Sequence, residues 1–253
     1  MPKGRTRDET DGAVRVGVRT RSLATDRLRF IRQLGATDVF VDHADTEEEP
    51  DEFNDREGAD TIAVGRDSIP TVSELEAAKA RLEAEGLSFT GVQSLPYSLY
   101  GDIMFDREGA DEALEQITTL IRNLGAADVP ILGYQWNPRG VVPMRTTPVE
   151  LRGKAVGTAF DLDEISDPDE LAPGLDRAYT EEEFWENYEW FLETVLPVAE
   201  EAGVRLALHP VDPPVLESLG GIPRLFRNVE NFERAMELVP SDNHGLKLCL
   251  GCF

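Results

Sequence analysis

RQLGATDVFV, residues 32–41, is echoed by RNLGAADVPI at 122–131 and more loosely by EEAGVRLAL at 200–208. Each reads as a helix end, a glycine and a short apolar strand, so Gly35, Gly125 and Gly203 are expected as left-handed C-caps. Repetition of this half-unit through the chain argues for parallel strands joined by helices. Strands are expected at 14–18, 38–41, 88–93, 129–134, 204–209 and 246–250, and helices at 26–34, 72–85, 110–124, 180–202 and 229–238. Thr71 and Glu74 form a capping box ahead of the second helix. A closed TIM (β/α)8 barrel needs eight such units. The expectation is therefore a single α/β domain, a TIM barrel truncated after about six strands with its C-terminal strands missing. An open edge ending in LCLGCF, residues 248–253, would leave unpaired backbone, which favours a fragment over an open sheet.

Two stretches break the rhythm. Residues 44–67 form an acidic insertion that includes EEEPDE at 47–52. Residues 136–179 are rich in Pro, Gly and Asp and leave the C-terminal end of the fourth strand, which is the catalytic face of a barrel. Loops of that length in a compact domain are usually functional or disordered, so this one is a candidate lid or substrate clamp.

The chain of 253 residues is 41% hydrophobic, enough for one substantial core. No apolar run approaches the roughly 20 residues that span a bilayer. No basic segment followed by an apolar one stands at Met1, so a cytoplasmic location with reduced thiols is expected. The formal charge of -24 comes from 49 acidic against 25 basic residues. Such a surface repels nucleic acid and suits a salty cytoplasm, where the Debye length falls to about 3 Å at 1 M.

Metal chemistry is suggested by two residues. His209 closes the run VRLALH and is followed at once by PVDPP, residues 210–214, while Cys249 closes the next apolar run, GLKLC. Pro210 ends the strand and leaves the imidazole at its rim. If the two strands are neighbours in a parallel barrel, an imidazole and a thiolate converge where such folds do their chemistry, and a divalent metal site follows. Cys252 completes a C-x-x-C, but without a second such pair there is no zinc ribbon, and it is taken as incidental. His43 and His244 lie in polar sequence and receive no role. Phe184, Tyr188, Phe191 and Val195, at three- and four-residue steps, mark the core face of a helix.

HPVDPP (209–214), GIPRL (221–225) and GLKLCLG (245–251), in that order and spacing, resemble the C-terminal motifs of mannonate dehydratase, a xylose-isomerase-like TIM barrel. GVQSLP (91–96), GDI (101–103), TLIRNLGAADVPILGYQWNP (119–138) and Arg145-Thr146 resemble its N-terminal motifs less closely. The resemblance implies dehydration of D-mannonate to 2-keto-3-deoxy-D-gluconate with Mn2+ or Fe2+ as cofactor, held by His209 and Cys249. Arg145 and Arg224 become candidate clamps for the carboxylate of a small-molecule sugar acid, since a guanidinium fork matches that group, with Asp212 beside them in substrate binding. The remaining ligands and the catalytic acid and base are expected beyond Phe253, so residues 1–253 should bind metal weakly and turn over nothing. The chain departs from the pattern at residues 99–103, where a His-Glu-Asp-Ile element is expected, at Val211 in place of a second Asp, and at Cys252 in place of Ser. A metal-dependent sugar isomerase or epimerase on the same barrel, or a homologue that binds a sugar acid without catalysis, stays open, as does a homodimer.

Overall fold

Six parallel strands make one sheet, in the order Gly17–Thr20, Asp38–Val41, Ser88–Val92, Ile131–Gln135, Arg205–His209 and His244–Leu246. The computed structural model describes residues 14–42, 61–66, 68–138, 141–143 and 145–252. Most of the acidic insertion, including residues 47–52, and His43 lie outside the described residues. The chain runs through β1 (Gly17–Thr20), α1 (Thr25–Gln33), β2 (Asp38–Val41), α2 (Val72–Ala84), β3 (Ser88–Val92), α3 (Tyr97–Met104), α4 (Ala110–Ala126) and β4 (Ile131–Gln135). A two-stranded excursion of β5 (Thr147–Glu150) and β6 (Val156–Ala159) precedes α5 (Glu181–Ala202) and β7 (Arg205–His209). The short hairpin β8 (Ser218–Leu219) and β9 (Ile222–Pro223), α6 (Val229–Leu238) and β10 (His244–Leu246) complete it. This is the α/β architecture expected from the repeats, with crossover helices between parallel strands.

Side chains alternate between the two faces of each strand. On β7, Leu206 and Leu208 are buried, and on β4 Tyr134 packs on Phe191 of α5 at 5.5 Å between ring centroids. That face meets the helical layer. Gln135 pairs with His209 in register, so both belong to the opposite face, the barrel interior. Helix α5 buries Phe184, Trp185, Tyr188, Phe191, Leu192 and Val195 against the sheet, the apolar face its spacing implied.

Of the three glycines expected as C-caps, Gly35 (φ 87) and Gly203 (φ 68) adopt the left-handed conformation. Gly125 does not. It lies inside α4, where an added Cβ would stand 2.4 Å from the Ala202 carbonyl oxygen. Its missing side chain lets α4 and α5 touch, and the left-handed residue is Asp128 (φ 56) instead. The last strand also differs from expectation. Pairing with β7 covers His244 to Leu246, and residues 250–252 turn into a 3₁₀ segment, so Cys249 follows the strand rather than closing it. His244, expected in a loop, opens that strand.

Candidate metal centre

His209 ends β7 on the interior face, and Pro210 follows without a backbone donor to continue the ladder. Its Nδ1 lies 2.6 Å from the Pro210 carbonyl oxygen. A carbonyl only accepts, so Nδ1 carries the proton and Nε2 is the nitrogen that would ligate a metal. Cys249 stands just past the neighbouring β10. Its displacement from the expected strand does not separate it from His209: ligand atoms of His209, Cys249 and Cys252 all lie within 4.8 Å of one another. Cys252, taken as incidental, is the unexpected member. Its thiol points at the Cys249 sulfur at 3.4 Å, and burial pushes it up to about 12. One nitrogen and two sulfurs so disposed suit a divalent ion of borderline or soft character.

Around this cluster stand the three expected substrate residues. Arg145, on the approach to β5, makes a bidentate pair with Asp212, Nη1 to Oδ1 at 3.0 Å and Nη2 to Oδ2 at 2.7 Å. The two are thus brought together, and the carboxylate neutralises the guanidinium. Arg224, just after β9, is 3% exposed. It donates to the Pro213 carbonyl at 2.9 Å and to the Asn137 side-chain oxygen at 3.4 Å. Burial lowers its guanidinium to about 10, offset in part by the Asp212 charge, so it stays cationic at neutral pH. Its Nε, the Asn137 Nδ2 and the Trp136 Nε1 are buried donors with no hydrogen-bond partner among the described residues. Leaving a donor so costs about 1–3 kcal/mol; Arg224 and Asn137, which touch each other, form a donor pair suited to an anionic or oxygen-rich ligand, while the Trp136 ring packs on Tyr188 and Phe191. Sequence reading missed Trp136 and Asn137. The available signal was their position directly after β4, at the strand ends where barrels place function. Lys247 reaches across the same rim, its Nζ 3.3 Å from the Gln93 carbonyl.

A family model for D-mannonate dehydratase (UxuA) matches residues 175–253, the segment that holds His209, Asp212, Arg224, Cys249 and Cys252. The mannonate dehydratase of Streptococcus pneumoniae (strain 70585) is 31% identical over 196 residues, 69% of this chain and 52% of that protein. The chain belongs to the mannonate dehydratase family. Another mannonate dehydratase, from Oceanobacillus iheyensis, is 30% identical over 206 residues, 72% of this chain and 58% of its own. The crystal structure of mannonate dehydratase from Streptococcus suis serotype2 shares the fold with a TM-score of 0.71 at 24% identity, covering 94% of this chain and 63% of that one. An L-ribulose 3-epimerase shares the fold more distantly, with a TM-score of 0.51 at 16% identity over 92% of this chain and 60% of its own. The chain spans about half the length of the curated mannonate dehydratases it matches. Arg145 lies outside the segment that the family model covers, whereas all three clustered ligand residues lie inside it.

Proposed function

We propose that the protein acts as a metal-dependent hydro-lyase, removing water from D-mannonate to give 2-keto-3-deoxy-D-gluconate, with Mn2+ or Fe2+ held by His209 and Cys249. The observation that carries this is the meeting of His209 and Cys249 at one rim, beside a buried cation, Arg224. A divalent ion there would supply Lewis-acid stabilisation of the charge that builds as a proton leaves the carbon next to the carboxylate. Arg224, held by the Pro213 carbonyl, offers a fixed fork for that carboxylate. Asp212 and Arg145 orient each other at the mouth of the site and can meet sugar hydroxyls. The hydrogen bond from His209 Nδ1 keeps its ring from rotating away. No general acid or base is assigned among the described residues.

Two rival chemistries on the same barrel set the test. D-mannonate, other aldonates and ketoses are supplied with Mn2+ or Fe2+ to the protein at the length of its relatives. A 2-keto-3-deoxy acid formed from D-mannonate supports dehydration. An epimerised or isomerised ketose would transfer the assignment to that class, and aldonate binding with no turnover would make it a binding protein.

The charge of -24 supports a host with a salty cytoplasm, and a homodimer is the expected assembly to test. No helix among the described residues is long and apolar enough to cross a membrane.

A further inference from the structure

The sulfur of Cys252 is aimed at that of Cys249, into the cluster with His209 rather than away from it. We propose that Cys252 is a third protein ligand, giving a His209–Cys249–Cys252 set that favours thiophilic ions: of the two ions named above it selects Fe2+ over Mn2+, and Zn2+ and Co2+ serve as its probes. This rests on the metal reading above and names which ion the site prefers.

Three observations carry it. The two sulfurs are 3.4 Å apart, while two thiolates on one tetrahedral ion, each at about 2.3 Å, would be about 3.8 Å apart. An adjustment of a few tenths of an ångström brings both onto a common ion. The backbone already supplies the required turn, with the Cys252 amide donating to the Cys249 carbonyl at 3.0 Å, and C-x-x-C is a ligand spacing used by structural zinc sites. The His209 nitrogen completes a triangle whose ligand atoms are all within 4.8 Å.

Charge points the same way. A divalent ion with two thiolates and a neutral imidazole sums to zero, as a partly buried site prefers, and the adjacent Arg145 is already neutralised by Asp212. Among the described ligands, Cys249 alone would leave one positive charge of the ion unmatched. Thiolate ligands favour Zn2+ and Fe2+, whereas Mn2+ prefers oxygen donors and binds weakest of the divalent series.

The chain has two cysteines, so the number of sulfur ligands is limited to none, one or two. X-ray absorption fine structure on the zinc-loaded wild-type chain is expected to find two sulfur neighbours at about 2.3 Å, a count that needs no variant. Cys252→Ser should leave one, roughly halve the sulfur-to-cobalt charge-transfer absorbance of the Co2+ form, and weaken Zn2+ by at least about tenfold while changing Mn2+ binding far less. One sulfur neighbour plus nitrogen in the wild type overturns the role of Cys252 and leaves the metal site standing. Failure of the wild-type chain to take up Zn2+ or Co2+ at all sinks both.

Discussion

His244 packs its imidazole between two phenols, with Nε2 2.7 Å from the Tyr134 hydroxyl and 3.3 Å from that of Tyr188. Burial lowers it to about 4, against about 6.5 in an unfolded chain. The unfolded state therefore binds the extra proton first as pH falls, so this residue's contribution to stability is intact above about 6.5 and is lost toward about 4. Urea midpoints measured from pH 7 to 4.5 should drop more steeply for wild type than for His244→Gln; parallel curves would show that the imidazole does not titrate between the two states. Arg224 calls for a different experiment. Arg224→Met keeps the stem and removes a buried charge, so sugar-acid binding should weaken by about 10–100-fold, as loss of a charged hydrogen bond of roughly 1.5–3 kcal/mol implies. Stability should hold or rise, because burying charge is costly. Titration calorimetry with D-mannonate beside thermal melts separates the two effects, and unchanged affinity would remove Arg224 from the substrate site. His209 was legible in the sequence because Pro210 states locally where its strand ends. Cys252, Asn137 and the burial of Arg224 and His244 were not, since each depends on neighbours brought close only by folding. Asn137 and Arg224, for example, are 87 residues apart.

Helix α4 passes straight through Gly125, and the repeat that suggested a cap there misled because a glycine before a strand has two uses. One is a left-handed turn and the other is room for a neighbour. Gly125→Ala would force the new methyl against Ala202 and should cost about 1–3 kcal/mol, the usual penalty of overpacking, read as a lowered urea midpoint with the slope unchanged. A cost near zero would mean that α4 and α5 can part freely. At the start of α5, Thr180 accepts from the Glu183 amide while the Glu183 carboxylate accepts from the Thr180 amide at 2.7 Å. Thr180→Ala should cost about 1 kcal/mol. The same device at Thr71 and Glu74 was visible in the sequence, because its signature is local and of fixed spacing. The β8–β9 hairpin was overlooked although Gly220 (φ 64) and Gly221 (φ 78) are the pair that a two-residue turn with both central φ positive requires. Strands of two residues are too short to show alternation.

Across the molecule, charge and exposed edges act together. With a formal charge of -24, self-repulsion should destabilise the chain in dilute buffer, and raising KCl from about 0.1 to 1 M, which shrinks the Debye length from about 10 to 3 Å, should raise the melting temperature. A flat or falling response would break the link between surface charge and a salty host. Leu246 on the edge strand β10, Leu248 and Leu250 just past it, and Val14 and Val16 just ahead of the opposite edge strand β1 are exposed, Leu250 at 81%. Exposed apolar edges template association, so sedimentation should find concentration-dependent assembly that increases as salt screens the charge. The long segment after β4 is stitched to the β8–β9 turn by three backbone bonds: Ala172 N to Gly220 O, Gly220 N to Pro168 O and Tyr179 N to Gly221 O, each 2.9 Å. The strap bearing Arg145 and the turn leading to Arg224 are thereby coupled like two leaves of one shutter. Any breathing that opens this rim must swing them jointly, and their amide protons should trade with solvent in unison.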